Sequence, residues 1–531
     1  MAKNGISRRH FLFGSLLTAA IPVGGFGTVP SLKFMGYVSP NEKLNIGCIG
    51  AGGRAASDIR GVSTQNIVAL ADPDSVRAAR MFKAFPNVPK FKDFRRMFDQ
   101  MGDQIDAVTI AIPDFMHGTA AMWAMERGKH VYCEKPLTHT PWEARMLTQA
   151  AERYKVATQM GNQGYSNDGT RIAAEIIWSG AIGDVTEVHA WTNRPEWPQG
   201  FDRIPPAQPV PDTLDWDVWL GIAAERDYTG GDAVYRKDEH TGSGFYQPFK
   251  WRGFLDLGCG PVGDMACHIL GPANMALLLG APTSVETIKR VGTNSLTYPS
   301  QTVTRFEFPA RKNMGPVTVY WYDAQTGPAY WPPDIPHDQF LIGGPGAFGD
   351  GPPNSGEGVL PPEPGAPSTK PSPAPAARKS APPSAESVMR AENRNGTVFV
   401  GTKGYLTTDT YGSKVRLLPE SKYRGYTLPP EILTRSPGHY AEWIGACKGG
   451  VRASSDFRIS GPFTEWVLLA TIAMRVPGKL EWDSANLRFT NSDEANKYIM
   501  PNFRKPWSDV WNGKKLESVA EADQSCPVAP Y

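Results

Sequence analysis

The sequence lacks an excess of either charge. Its 55 Lys and Arg residues nearly balance 53 Asp and Glu residues, which gives a net charge of +2 over 531 residues. A nucleic-acid-binding surface needs a clustered basic face, and the charges of this chain do not supply one. We therefore predict no nucleic-acid partner, and the charge balance favours no other particular partner.

Cysteines are few and lack the spacing of metal sites. None of the six forms a Cys-x-x-Cys pair, and they are Cys48, Cys133, Cys259, Cys267, Cys447 and Cys526. Cys259 and Cys267 have no His or Cys partners at zinc-ligand spacing. Cys48 and Cys133 lie in apolar runs, which is typical of small buried hydrophobes. We predict no metal site and no disulfide framework.

Long hydrophobic runs are also missing, apart from one short run near the start of the chain. It extends from Phe11 to Ile21, is too short to span a bilayer comfortably, and directly follows Arg8-Arg9. This arrangement resembles a twin-arginine signal, which exports proteins already folded. We predict a signal segment over residues 1–34 and a periplasmic or otherwise exported protein. A segment that is left uncleaved would serve as a membrane anchor.

A dinucleotide-binding pattern begins at Asn45. An apolar strand runs into Gly50-Ala51-Gly52-Gly53-Arg54-Ala55, which matches G-x-G-x-x-A. In this motif the first glycine makes a tight turn, the second lets the backbone approach a pyrophosphate, and the small third residue packs the helix on the strand. A second apolar run ends at Asp72, about twenty residues further on. Asp72 would bind both ribose hydroxyls of NAD and repel the 2′-phosphate of NADP, or else cap the next helix, a role that Asp74 can also fill.

Two more strand-like runs end in polar residues. Ile105–Ile112 is followed by Pro113 and then His117, and His130–Cys133 is followed by Glu134 and Lys135. In open parallel sheets the ligand lies beyond the carboxyl ends of the strands, so these residues are placed to meet a cofactor. From the residues alone, a surface lysine is the preferred interpretation of Lys135, ahead of a catalytic lysine.

These motifs, in this order, resemble the glucose–fructose oxidoreductase / inositol dehydrogenase / MocA (Gfo/Idh/MocA) family. The matching segments are GAGGRA, ALADPD, IPDFMH, EKP and DMACH, together with HYAEWIGACKGG near the end of the chain. The last segment resembles the twin-arginine-exported bacterial members. The likeness extends from Asn41 to about Trp507.

The resemblance implies an α/β fold with two domains. A Rossmann NAD(P)-binding domain is predicted over 41–164, and an α+β substrate-binding domain with a large, mostly antiparallel sheet over 165–531. A Pro/Gly/Ser-rich insertion at about 332–390 has too few apolar residues to fold and is predicted to be exposed or extended. The open face of the large sheet is the predicted site of homo-oligomer formation.

The resemblance also assigns residues to roles. Lys135, Asp264 and His268 are the predicted catalytic residues, and Asp264 and His268 share one helix face because they lie four residues apart. The predicted cofactor-binding residues are Gly50, Gly52, Gly53, Arg54, Asp72, Pro113, His117, Glu134, Lys135, Asn162 and Gln163. A period-two strand and the turn after it supply the predicted sugar contacts, which are Trp191, Asn193, Arg194 and Trp197.

The function that these residues indicate is oxidation of a secondary hydroxyl on a sugar, glycoside or inositol-like polyol. NAD is the predicted cofactor, with NADP as the alternative. Because no free NAD pool is expected outside the inner membrane, we expect the cofactor to be tightly retained. Two alternatives stay open: an NAD-dependent, redox-neutral glycoside hydrolase, and a catalytically inactive carbohydrate-binding protein.

Overall fold

A computed structural model describes residues 42–197, 199–200, 202–230, 244–292, 294–349 and 393–516. The chain separates into two compact units, residues 1–44 and 45–531. The predicted signal segment, Cys526 and most of the predicted insertion lie outside the described residues. All elements below belong to the second unit.

The first sheet is parallel and has six strands. They are β1 Asn45–Ile49, β2 Asn66–Ala71, β3 Lys90–Phe91, β4 Ala107–Ile110, β5 His130–Glu134 and β6 Thr158–Gly161. Their order is β3-β2-β1-β4-β5-β6, and the central strands are almost wholly buried because helices cover both faces of such a sheet. This is the predicted Rossmann arrangement.

Five helices connect these strands. They are α1 Ala55–Gly61, α2 Ser75–Ala84, α3 Phe94–Met101, α4 Asp114–Met125 and α5 Pro141–Tyr154. Asp74 caps α2, since its side chain accepts hydrogen bonds from the backbone N–H groups of Val76 and Arg77 at 3.0 and 3.1 Å. The capping role considered for Asp72 therefore falls to Asp74, and the Asp72 carboxylate is left for the end of β2.

The second sheet has nine strands. They are β7 Val185–Trp191, β8 Ser284–Val291, β9 Gln301–Phe308, β10 Val317–Tyr322, β11 Gly396–Gly401, β12 Gly404–Thr408, β13 Val415–Leu418, β14 Leu480–Asp483 and β15 Arg488–Phe489. Their order is β13-β12-β11-β7-β10-β9-β8-β14-β15, and only β7 and β10 pair in parallel. The prediction of a large, mostly antiparallel sheet is confirmed.

Further helices follow the parallel sheet, and some of them pack against the second sheet. They are α6 Asp168–Trp178, α7 Trp216–Leu220, α8 Gly260–Ile269, α9 Gly271–Ala276, α10 Glu420–Tyr423, α11 His439–Cys447, α12 Phe457–Ala473 and α13 Asp493–Asn496. The long apolar α12 packs against α5 of the Rossmann domain and against α8. One continuous buried core thus fixes α8 relative to the parallel sheet.

One face of the second sheet is partly covered by a segment that the sequence predicts to be exposed. Ile335, Leu341 and Ile342 are buried against Trp191 and Val398. The predicted exposure is therefore wrong for Ile335, Leu341 and Ile342, whereas the bounds of the insertion stay a prediction. These three aliphatic side chains lie among Pro, Gly and polar residues in the sequence, and they pack together on an apolar face of the sheet. Residues 350–392 lie outside the described part of the chain.

The described residues contain free thiols but neither a cluster of metal ligands nor a helix suited to crossing a membrane. Cys48, Cys133, Cys259, Cys267 and Cys447 are free thiols there. No group of three or more His, Cys, Asp or Glu side chains within those ranges could hold a metal ion. No helix among them combines the length and apolar character that a membrane crossing requires.

Candidate active site

A cavity of about 520 Å³ lies at the carboxyl edge of the parallel sheet, between it and α8. Residues that follow β1, β2, β4 and β5 form one side, as expected for ligand sites in open parallel sheets. Of the residues predicted from sequence, those that line the cavity are Gly50, Gly52, Gly53, Arg54, Asp72, Pro113, His117, Glu134, Lys135, Gln163, Arg194, Asp264 and His268.

The glycine loop after β1 is shaped by close backbone approaches. Gly50 has φ +93°, and a Cβ there would lie 2.3 Å from the carbonyl oxygen of Ala111. Asp72 holds the loop, because its Oδ2 accepts hydrogen bonds from the N–H groups of Ala51 and Gly52 at 2.9 and 3.2 Å. Burial raises the pKa of Asp72, although the hydrogen bonds that it accepts from the backbone act in the opposite direction and lower this pKa. The loop therefore presents bare backbone to the cavity beside one carboxyl group.

Glu134 and Arg54 form the middle of the cavity wall. The Oε1 atom of Glu134 accepts hydrogen bonds from Arg54 Nε and Gln163 Nε2, both at 3.0 Å. Burial alone would raise the pKa of Glu134, but the nearby cations Arg54 and Lys135 outweigh it and lower this pKa. Glu134 thus stays ionised and fixes the Arg54 guanidinium at the glycine loop.

The three predicted catalytic residues meet at the far end of the cavity. Lys135 follows β5, whereas Asp264 and His268 lie one turn apart on α8. Lys135 Nζ donates to Asp264 Oδ1 at 2.9 Å and also to the Asp264 carbonyl oxygen. All three side chains line the same cavity. The structure therefore brings together a lysine and an aspartate that lie 129 residues apart.

Asp264 is surrounded by cations. Besides Lys135, Arg252 Nε lies 3.1 Å from its Oδ1, and Arg194 Nε lies 3.6 Å from its Oδ2. Burial raises the pKa of Asp264, yet Lys135, Arg252 and Arg194 together hold it well below its usual range. Asp264 is consequently a permanent anion that orients three positive side chains.

His268 is a neutral base in this setting. Burial, with the charge of Lys135 as the next cause, lowers the pKa of His268 to about 3. Its ring lies edge-on to Tyr411 with centroids 4.9 Å apart. Its Nδ1 atom is buried and makes no hydrogen bond to any described residue. An imidazole held neutral at physiological pH can accept a proton from a hydroxyl group.

His117 has a structural role in addition to lining the cavity. Its two ring nitrogens lie 2.7 Å from the carbonyl oxygens of Pro136 and Ile112. The ring therefore bridges the segments that follow β4 and β5. Burial lowers the pKa of His117, although the hydrogen bonds to the two carbonyl oxygens act in the opposite direction and raise this pKa.

Four residues predicted to touch a ligand do not line the cavity. Asn162 is buried, and its Oδ1 accepts a hydrogen bond from Ser455 at 2.5 Å. The others are Trp191, Asn193 and Trp197. The structure corrects the sugar contact predicted for Trp191, because its ring is fully buried in the outer apolar cluster and its Nε1 donates to the Asn393 carbonyl oxygen.

The remaining two predicted sugar contacts are held by neighbouring residues. The Asn193 N–H donates to Asn395 Oδ1 at 3.0 Å. The Trp197 Nε1 donates to Gln199 Oε1 at 2.8 Å. Trp197 also packs edge-on against Phe249, which itself lines the cavity.

Sequence reasoning missed several cavity residues. Arg252 comes from a 3₁₀ turn, Lys250–Gly253, and its guanidinium carbon lies 4.0 and 4.2 Å from the ring centroids of Phe249 and Trp251. Nothing in that segment of the sequence signals a site. Asp114 could have been found, because it directly follows Pro113 at the end of a strand. Burial raises the pKa of Asp114 to about 7, although the positive charges of Arg252 and Lys135 act in the opposite direction and lower this pKa.

Comparison with known proteins identifies the first domain. The model of the Gfo/Idh/MocA oxidoreductase family, NAD-binding Rossmann fold, matches residues 44–162. The Gfo/Idh/MocA match covers the glycine loop, Asp72, Glu134 and Lys135, so the Rossmann domain is of the NAD-binding kind.

Relatives share part of the chain. A levoglucosan dehydrogenase of Pseudarthrobacter phenanthrenivorans is 29% identical over 176 residues, which are 30% of this chain and 44% of the relative. An inositol 2-dehydrogenase of Corynebacterium glutamicum is 36% identical over 103 residues, which are 18% of this chain and 30% of the relative. The matched region thus spans less than half the length of these curated relatives.

Among solved structures, the WlbA dehydrogenase from Bordetella pertussis in complex with NADH and UDP-GlcNAcA aligns with 83% of this chain and 99% of that protein. Its sequence identity is 13% and the TM-score is 0.49.

The residues of the cavity fit a bound NAD. Gly52 and Gly53 offer backbone without side chains where a Gfo/Idh/MocA domain binds the pyrophosphate, and Asp72 stands at the end of β2 where the ribose hydroxyls are bound. Arg54 and Gln163 complete the wall toward Lys135.

Proposed function

We propose that the protein is an NAD-dependent oxidoreductase acting on a secondary hydroxyl of a sugar, glycoside or inositol-like polyol. The observation that carries this proposal is the meeting of Lys135, Asp264 and His268 at one end of a cavity whose other end is the glycine loop. Bound NAD supplies the acceptor for a hydride from the carbinol carbon.

The side chains have distinct roles in this proposal. The neutral imidazole of His268 accepts the hydroxyl proton on an unprotonated ring nitrogen. The Lys135 ammonium, held by Asp264, stabilises the negative charge that develops on the substrate oxygen. Asp264 also fixes the ammonium group of Lys135 in place, because the flexible four-carbon side chain of a lysine does not by itself hold one position.

The test is the absorbance of the purified protein at about 340 nm before and after addition of a panel of sugars and inositols. Native protein is expected to gain absorbance with at least one of them. Lys135→Met and His268→Ala should each lose about 10²-fold or more in rate. Lys129→Met, at the amino end of β5 and outside the cavity, is the matched control. Equal activity of the control and the two site variants would refute the assignment.

NAD in preference to NADP is the second part of the proposal. The Asp72 carboxyl group stands at the end of β2 and Arg77 also lines the cavity there. We expect Asp72→Ser to relax the preference, since it removes the repulsion of a 2′-phosphate and leaves Arg77 to bind it. Dissociation constants of both nucleotides for the native protein and the variant measure this. Native protein that binds NADP more tightly than NAD would overturn it.

We also propose export of the folded, loaded protein and a tightly held cofactor. The support is the pair Arg8-Arg9 before an apolar run, since a folded-export signal is needless for a chain that could load its cofactor outside. Denaturing release of nucleotide from exhaustively dialysed protein should yield NAD close to one per chain. Cell fractionation should place the native chain, but not an Arg8→Lys/Arg9→Lys variant, outside the cytoplasm. Empty protein, or equal fractionation of the two chains, would contradict this part.

The retained cofactor makes a redox-neutral cycle a distinct outcome of the same assay. Release of nitrophenol from nitrophenyl glycosides without net change of nucleotide absorbance would identify an NAD-dependent glycoside hydrolase. Binding of sugars without either signal would favour an inactive carbohydrate-binding protein.

A homo-oligomer through the open sheet is proposed as well. On β8, Ile288 and Val291 are 50% and 44% exposed, which leaves aliphatic surface on this part of the sheet. Light scattering on native protein should report more than one chain per particle, and Ile288→Lys should reduce that number. A native monomer would refute this.

A further inference from the structure

We infer that the substrate carries an anionic substituent, a carboxylate or a phosphate, and that Arg252 together with Arg194 binds it. This inference rests on the proposed function, because it names the substrate class of the same cavity. The number of cations at the reacting end supports it.

Three cations share one buried carboxylate at that end. Lys135, Arg194 and Arg252 lie 2.9, 3.6 and 3.1 Å from the Asp264 oxygens. A single carboxylate compensates one of these charges. Glu196 contacts the Nη1 atom of Arg194, but its side chain is 44% exposed, so solvent screens that pair.

Neither Glu134 nor Asp114 removes the excess. Glu134 is ionised, but it already forms an ion pair with Arg54 at 3.0 Å. Asp114 lines the same wall, and its Oδ2 accepts a hydrogen bond from the Cys259 N–H at 3.1 Å. Burial raises the pKa of Asp114 to about 7, so this group is partly protonated near neutral pH. The reacting end therefore keeps a positive excess in a mostly buried setting, where an anion is bound most strongly.

Arg252 is rigidly placed for this task. Its guanidinium carbon lies 4.0 Å from the ring centroid of Phe249 and 4.2 Å from that of Trp251, and its Nε donates to Asp264. Its Nη1 donates to the Phe249 carbonyl oxygen at 3.4 Å, so the contacts of Arg252 with described residues use Nε and Nη1 and leave Nη2 for a ligand. An arginine packed against two rings and bound to a carboxylate presents its remaining N–H groups in a fixed direction, which suits a planar carboxylate or a phosphate.

Arg194 adds a second unpaired donor on the same wall. Its Nε is buried and has no hydrogen-bond partner among the described residues, because the Asp264 oxygen at 3.6 Å is beyond hydrogen-bond range. A buried donor without a partner is costly. An anionic group on the substrate would satisfy this atom and Arg252 Nη2 together.

The contacts of the two arginines favour the substrate over the nucleotide phosphates as their target. Arg252 and Arg194 contact Asp264, one helical turn from His268, whereas the glycine loop for the pyrophosphate lies after β1 at the other wall. Substrate selection by these arginines is therefore separable from binding of NAD.

Matched pairs of sugars test the inference with the holoenzyme. Glucuronate is compared with glucose, and galacturonate with galactose, while glucose 6-phosphate separates a phosphate subsite from a carboxylate subsite. A charge-assisted pair of hydrogen bonds contributes about 1.5–3 kcal/mol, so kcat/KM should be about 10- to 150-fold higher for the preferred acid than for its neutral partner. The anionic group that gives the larger ratio of kcat/KM over the neutral sugar, carboxylate or phosphate, is the one that the two arginines bind.

Variants then locate the preference. Arg252→Gln should reduce the acid-to-neutral ratio toward one, mainly through KM, and leave the dissociation constant of NAD unchanged. Arg226→Gln is the matched control, because Arg226 also pairs with an aspartate and contacts an aromatic ring but lies outside the cavity. An Arg252→Gln variant that loses NAD binding and keeps the ratio would overturn the inference.

Failure of this inference and failure of the proposed function give different results. Equal kcat/KM for acidic and neutral partners would overturn the anionic subsite while the oxidoreductase stands. Calorimetric binding of uronates that depends on Arg252, with no turnover of any sugar, would support the subsite and count against the oxidoreductase. If the protein neither binds nor turns over any anionic sugar, this inference is overturned.

Discussion

Replacing Asp264 with Asn tests whether this carboxylate holds the reacting end of the cavity together. The side chain is 9% exposed and faces Lys135, Arg252 and Arg194. Asn keeps the shape and one acceptor oxygen but removes the negative charge. Three cations would then face each other in a buried setting without a counter-ion.

The expected loss of stability is large because the pairs are buried. Breaking a buried ion pair by removing one partner costs about 3–5 kcal/mol, since the remaining charge is left uncompensated. The pKa of Asp264 in the folded protein lies below its unfolded value of 3.8. The stabilisation is therefore fully present above about pH 4 and is lost only as the pH falls through the folded value.

The measurement is urea unfolding of native protein and Asp264→Asn at neutral pH, at about pH 4 and at about pH 3, with equal nucleotide content. Asp256→Asn is the control, because its pair with Arg226 involves a carboxylate that is 49% exposed, and it should cost only about 0–1 kcal/mol. A loss for Asp264→Asn no larger than that of the control would refute the reasoning. So would a loss that grows as the pH falls below 4.

Three further outcomes are expected. Gly50→Ala should weaken NAD binding at least about 10-fold and lower the melting temperature, because its Cβ would lie 2.3 Å from a backbone oxygen; unchanged calorimetric affinity would contradict this. Tyr440→Phe should cost about 1–3 kcal/mol in chemical denaturation, since its hydroxyl donates to the fully buried Asp58 at 2.7 Å; a neutral effect would show that this contact is not needed. The catalytic rate of native protein should not fall between about pH 8 and pH 5 through protonation of His268, because the pKa of His268 is lowered to about 3. Lys135→Met removes the neighbouring cation and should raise the pH at which this fall in rate occurs. A fall in rate near pH 6.5 that depends on His268 in native protein is the contrary result.

The sequence alone was sufficient for the parallel half of the site. Gly50, Gly52, Asp72 and Lys135 each follow an apolar run, and consecutive parallel strands place the residues after them at one edge. The helical spacing of Asp264 and His268 likewise predicts a common face. These relations are local, because they depend on strand ends and helix periodicity that a short stretch of chain specifies.

Only the tertiary structure decided what surrounds Asp264. Arg252 and Arg194 come from a turn and a strand end, and no pattern in either segment signals a charge cluster. Trp191 shows the opposite case, since a tryptophan in an alternating strand reads as a ligand contact until the segment around Ile335 is seen to bury it. Burial and pairing of such side chains are set by which distant segments pack together. That packing comes from the summed apolar contacts of the whole core, which no single stretch of sequence contains.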